Sequence, residues 1–158
     1  MFGIKFGKRK SEPLIYIIED SRTFLISLKS KLRLAYNDQV IIKGFSDSKS
    51  FFDENQGDPQ IIIMDFYLGE ESESDGTDLL QAIKSKYPQA FTIVLTGEED
   101  VNIAKECFSL GADSYIVKTP DSLDKIVKEI QYKAGLKKLI WFFFTPTKPY
   151  HFHPRNST

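Results

Sequence analysis

Ile61-Ile62-Ile63-Met64-Asp65 is an apolar run that ends in a carboxylate, and it decides how the rest of the chain is read. A buried parallel strand carries apolar residues at nearly every position, because helices cover both of its faces. The carboxyl end of such a strand is where an open α/β sheet places its ligand crevice. Asp65 is therefore delivered to a site. Two further runs end in the same way. Leu14-Ile15-Tyr16-Ile17-Ile18 leads into Glu19-Asp20, and Tyr115-Ile116-Val117 leads into Lys118. Parallel strands would gather three carboxylates and one ammonium at one edge, a setting for a hard cation with a counter-charge for an anionic group.

Outward from these runs, strands alternate with helices. After the first strand, Asp20 or Ser21 can cap a helix that carries Phe24, Leu25, Leu28, Leu32 and Ala35 on one face. Val40 to Phe45 reads as a second strand, and Ser46 opens a short helix containing Phe51 and Phe52. Asp58-Pro59 breaks the chain ahead of the central run. A polar loop from Phe66 to Asp75 precedes Gly76 and a helix with Leu79, Leu80 and Ile83, which Tyr87-Pro88 stops. Phe91 to Leu95 forms a fourth strand that runs into Thr96-Gly97. A helix from Asp100 to Leu110 presents Val101, Ala104 and Phe108 and closes at Gly111. Ser114 to Val117 is the fifth strand, followed by a helix with Leu123, Ile126, Val127 and Ile130. Five βα repeats predict an α/β fold with a parallel sheet covered on both faces.

The bulk properties suit that fold. A chain of 158 residues with 41% apolar content can fill one core. No apolar stretch approaches the ~20 residues that span a bilayer, and the charged stretch from Met1 to Lys10 is not expected to act as a secretory leader. Cys107 is the sole cysteine, so no disulfide can form within the chain and a reducing cytoplasm is the expected location. All 22 acidic residues lie between Glu12 and Glu129, together with only 12 of the 21 basic ones. The remaining lysines and arginines flank that acidic block and read as solvated arms. The expected organisation is a basic N-terminal tail over 1–12, one folded domain over 13–134, and a basic, aromatic extension over 135–158.

Glu19, Asp20 and Asp65 are hard oxygen ligands of the kind Mg²⁺ prefers. Thr96 offers a hydroxyl and Lys118 an ammonium to an anion. An acid pair, an Asp, a Thr and a Lys thus end strands one, three, four and five in that order. The chemistry that needs these parts together is phosphoryl transfer to a carboxylate.

The same residues resemble the receiver domain of two-component response regulators, from about Pro13 to Lys133. The resemblance is carried by Ile17-Ile18-Glu19-Asp20-Ser21, Ile63-Met64-Asp65, Asp75-Gly76, Val94-Leu95-Thr96-Gly97 and Gly111-Ala112-Asp113-Ser114-Tyr115-Ile116-Val117-Lys118, with Asp100 and Ala104 spaced after Thr96. It implies a flavodoxin-like three-layer (βα)5 sandwich whose five-stranded parallel sheet has the order 2-1-3-4-5. It also implies that Asp65 accepts a phosphoryl group from the phosphohistidine of a sensor histidine kinase or phosphotransfer protein. Asp20 and Asp65 would bind Mg²⁺ directly, Glu19 through water, and Tyr67 through its backbone carbonyl. Thr96 and Lys118 would hold the phosphoryl oxygens, and Tyr115 would be the aromatic that turns inward when Thr96 moves. Such a chain is a signalling receiver with a downstream protein partner and at most an intrinsic autophosphatase activity.

Three departures from the family pattern stand out. Thr119 separates Lys118 from Pro120, where the family usually has the proline directly after its lysine. The loop from Asp65 to Asp75-Gly76 is long and acidic. Tyr67 and Glu98, two residues after Asp65 and Thr96, occupy positions resembling those that tune dephosphorylation. The extension holds Leu139-Ile140-Trp141-Phe142-Phe143-Phe144, too short to span a membrane and too apolar to leave in water. The fifth helix is expected to continue through Lys137 and Lys138, and the Trp141 to Phe144 segment to pack on protein, either a second subunit, making a homodimer, or the chain's own domain. With no helix-turn-helix pattern after the domain, direct DNA binding is not expected. Other readings are an inactive pseudo-receiver adaptor, a dehalogenase-like aspartyl-phosphate phosphohydrolase and a flavodoxin-like nucleotide binder. The phosphohydrolase would need an Asp where Tyr67 stands, and the nucleotide binder a phosphate-cradling loop where Glu19-Asp20 stand.

Overall fold

Side chains alternate between the two faces of a strand, so a continuous apolar run feeds two cores at once. That division is visible throughout the computed structural model, which describes residues 12–54, 57–69 and 76–132. The elements are β1 (Leu14–Ile18), α1 (Arg22–Ala35), β2 (Ile41–Phe45), α2 (Ser48–Glu54), β3 (Ile61–Asp65), α3 (Gly76–Lys86), β4 (Phe91–Thr96), α4 (Val101–Ser109), β5 (Ser114–Val117) and α5 (Ser122–Tyr132). They form a five-stranded sheet of order β2-β1-β3-β4-β5, with every pair parallel. This is the flavodoxin-like α/β sandwich that the resemblance implied.

Ile15, Ile17, Ile61, Ile63, Ile93 and Leu95 point to one face, where they meet Leu28 and Leu32 of α1 and Ile126 and Ile130 of α5. Tyr16, Ile18, Ile62, Met64 and Val94 point to the other, against Phe51 of α2, Leu79, Leu80 and Ile83 of α3, and Cys107 of α4. Each fully buried aliphatic side chain of this kind contributes ~1.5–3 kcal/mol. All five residues of β3 are buried, as expected of the central strand. β2 is an edge strand and reads differently, with Ile41 and Lys43 exposed and only Phe45 buried.

Caps set the helix starts. The Ser21 hydroxyl accepts from the Phe24 N–H, which resolves the choice between Asp20 and Ser21. Asp100 accepts from the N–H groups of Asn102 and Ile103 at the start of α4. Asp47 accepts from the Ser50 N–H at 2.7 Å, so α2 begins at Ser48 and Ser46 lies outside it, donating its hydroxyl to Asp47. At the end of α4, Gly111 has φ +97° and donates to the Phe108 carbonyl, the closure its sequence position predicted.

The face of α4 is a correction. Val101 and Phe108, expected to pack inward, are 64% and 51% exposed, and Cys107 is buried in their place with Ile103 and Leu110 partly covered. Residues 103, 107 and 110 make one helical stripe and 101, 104 and 108 the next, so both periods were present in the sequence. The path of the chain into and out of β4 and β5 decides which stripe meets the sheet. Every described peptide bond is trans, that between Thr119 and Pro120 included. The extension at 135–158, the expected helix continuation, and the expectations about dimerisation and DNA rest on residues outside those described.

The Tyr36 side chain is buried, and its hydroxyl has no hydrogen-bond partner among the described residues. Burial accordingly pushes the phenol well above its ordinary range. A buried, unpartnered hydroxyl costs more than it contributes. Tyr36→Phe is therefore expected to stabilise the fold by ~1 kcal/mol, seen as a higher midpoint in urea with unchanged slope.

Candidate functional site

Strand register builds the site. Ile18 pairs with Met64, which puts Glu19 level with Asp65, and Asp65 itself pairs with Leu95. Thr96 pairs with Val117, so Thr96 and Lys118 follow one step further at the same edge. Oxygens of Glu19, Asp20 and Asp65 all lie within 4.8 Å of one another. Glu19 is fully buried, Asp65 nearly so, and Asp20 is exposed.

Lys118 bridges two of the three acids. Its Nζ is 2.6 Å from Asp65 Oδ2 and donates to Glu19 Oε1 at 3.0 Å. Glu19 Oε2 lies 2.8 Å from the same ammonium, so both oxygens of this carboxylate face Lys118. The Lys118 side chain is itself 21% exposed. Burial alone would lower the lysine's pKa; its hydrogen bonds to Asp65 and Glu19, and their charge, outweigh this and raise it. Burial raises the Glu19 pKa, reinforced by the Asp65 charge and opposed by Lys118. Two carboxylates ~4 Å apart repel by roughly 4 kcal/mol at an effective dielectric constant near 20. One ammonium among three carboxylates leaves a surplus of two negative charges, which a divalent cation matches. The three clustered carboxylates, all hard oxygen donors, fit such an ion.

The other predicted residues fall around this cluster. The Tyr67 N–H donates to Asp65 Oδ1 at 3.1 Å and fixes the carboxylate, while the Tyr67 ring stacks edge-on against Phe66 and is 48% exposed. The Thr96 hydroxyl is buried and accepts from the Glu98 N–H at 3.2 Å. Tyr115 is half-buried, and its hydroxyl makes a long 3.4 Å contact to the Glu98 carbonyl. Thr96 and Tyr115 therefore grip opposite ends of one residue, Glu98. Sequence reasoning did not assign Glu98 this bridging place, because its side chain takes no part. It also passed over Phe24, whose ring centroid is 4.8 Å from Lys118 Nζ. Phe24 packs against the core as its stripe position implies, and its place four residues after Asp20, one turn into α1, is the signal for its second contact.

Gly76, at the start of α3, lets the chain close back on the site. A Cβ there would lie 2.4 Å from the Phe66 carbonyl oxygen and 2.6 Å from its ring. Gly76→Ala is expected to destabilise by ~1–3 kcal/mol through overpacking, and to shift the backbone beside Asp65. Chemical denaturation with amide chemical-shift mapping checks both effects.

Residues 15–131 match the sequence profile of the response regulator receiver domain. The chain belongs to that family. Receiver domains are signalling modules of two-component systems. The chain is 24% identical over 110 residues to the response regulator VraR of Staphylococcus aureus, an alignment covering 70% of this chain and 51% of that protein. It spans about half or less of the length of the curated relatives it matches. A receiver domain from Clostridium thermocellum superposes with TM-score 0.65 at 27% identity, covering 81% of this chain and 98% of that one. A response regulator of Burkholderia pseudomallei, solved with a phosphorylated aspartic acid and a calcium ion, superposes with TM-score 0.64 at 21% identity, covering 85% and 75%. Among the described residues of this receiver, no helix is long and apolar enough to cross a membrane.

Proposed function

We propose that this receiver takes a phosphoryl group onto Asp65 from the phosphohistidine of a kinase or phosphotransfer protein. A carboxylate oxygen of Asp65 attacks phosphorus, the P–N bond to the donor imidazole breaks, and the electron pair leaves on that nitrogen. Mg²⁺ would be held by Asp20 and Asp65 directly, by Glu19 through water and by the Tyr67 carbonyl. When bound it supplies charge neutralisation for the phosphoryl oxygens. The Tyr67 N–H keeps the Asp65 carboxylate oriented, and Lys118 exchanges part of its contact with Asp65 for a phosphoryl oxygen. Thr96 donates its hydroxyl to another, which draws on its contact with Glu98 and so on Tyr115. A downstream protein partner would read that change.

The observation that carries this reading is the 2.6 Å contact between Lys118 and Asp65 inside a cluster with a surplus of two negative charges. The phosphorylated aspartic acid of the Burkholderia regulator is the corresponding state in a protein of this fold. Incubation with a small acyl phosphate and Mg²⁺, followed by intact mass measurement, tests the proposal. One added phosphoryl group, lost at alkaline pH as an acyl phosphate is, is the expected result. An unchanged mass in the presence of donor and Mg²⁺ would leave the chain a pseudo-receiver.

A further inference from the structure

The Lys118 ammonium has neighbours of two kinds. On one side are the Asp65 and Glu19 carboxylates; on another is the Phe24 ring, with its centroid 4.8 Å from Nζ. Phe24 is partly buried and packs against the core cluster that holds Leu28 and Leu32, so its ring is braced from below by the rest of α1. An aromatic face carries a negative quadrupole and attracts a cation within about 6 Å of the centroid. That attraction is broad, whereas a hydrogen bond is lost when its donor turns away by a few tens of degrees.

We infer that Phe24 is a positioning residue for phosphoryl transfer, acting through Lys118. The inference rests on the phosphoacceptor reading above. During transfer Lys118 must loosen its 2.6 Å contact with Asp65 and reach for a phosphoryl oxygen. The ring holds the ammonium over the site through that movement and keeps water from its flank, since neither function depends on one donor direction. A ring that served only as core packing would be replaceable by any apolar side chain of similar volume.

The test compares Phe24→Leu, which keeps an apolar side chain without the ring, with Phe24→Tyr, which keeps the ring. Labelling rates with a small acyl phosphate at saturating Mg²⁺ are expected to fall ~3- to 10-fold in Phe24→Leu and to stay within about two-fold of wild type in Phe24→Tyr. In a Lys118→Ala background, Phe24→Leu should slow labelling no further, because its route through the lysine is gone. The ε-methylene protons of Lys118 should resonate upfield in the wild type through the ring current and relax in Phe24→Leu, whether or not a donor is present. Should Phe24→Leu fail to fold, Phe24→Met carries the same comparison. Equal rates in wild type and Phe24→Leu, or an equal slowing with and without Lys118, overturns the inference. A wild type that takes no label while the lysine resonance shifts as expected overturns the phosphoacceptor reading and leaves the ring contact standing.

Discussion

Asp65→Asn is expected to take up no phosphoryl group under conditions that label the wild type fully. The amide is nearly isosteric, and its oxygen can still accept the Tyr67 N–H that now meets Oδ1 at 3.1 Å. What is lost is the anion. A neutral amide is a poor nucleophile toward phosphorus, contributes no charge to a dication, and cannot pair with the Lys118 ammonium at 2.6 Å. The loss of the nucleophilic anion alone is enough to stop labelling, and the same substitution also removes the other two contributions. Intact mass with an acyl phosphate and Mg²⁺ reads the outcome directly. Labelling of Asp65→Asn at the wild-type rate would move the acceptor to another side chain. Glu19 would then be the first to examine, since it shares the lysine.

The second large effect is on the cation. Asp20→Asn is expected to weaken Mg²⁺ binding at least ~10-fold, by loss of one of the charged ligands that create the negative surplus. Asp20 is exposed, so the change should leave folding almost untouched and separate metal affinity from stability. Lys118→Ala makes the opposite comparison. It removes a cation already seated between Glu19 and Asp65. Mg²⁺ affinity should therefore be kept or increased, while phosphorylation or its structural readout is impaired. Calorimetric Mg²⁺ titration of the wild type and the two variants decides the matter. Equal affinity in wild type and Asp20→Asn would dissolve the proposed site.

Much of this architecture can be read along the chain because parallel strands mark themselves. The runs of β1 and β3 end in carboxylates and that of β5 in a lysine, and Ser114–Val117 has the same limits in sequence and structure. α4 shows where that reading stops. Its two apolar stripes have similar character, and only the packing of Cys107 against the sheet tells them apart. The α2 cap lies one residue after the Ser46 that the sequence suggests, for a smaller reason. Ser46 and Asp47 are both competent caps, and geometry selects the Asp47 carboxylate on the Ser50 N–H.

The sequence by itself determined which side chains stand at strand ends, because strand limits follow from local pattern: Glu19 and Asp20 after β1, Asp65 ending β3, Thr96 ending β4, Lys118 after β5. From them it determined the kind of chemistry available, an oxygen-rich cation site with a counter-charge. Only the tertiary structure decided how those ends meet. Lys118 is 99 residues from Glu19 and 53 from Asp65, and their contacts depend on the order of four strands and the register of each pair. The same holds for Phe24 beneath the lysine and for Glu98 between Thr96 and Tyr115. Local sequence carries no record of these distances, because they are created when the sheet assembles.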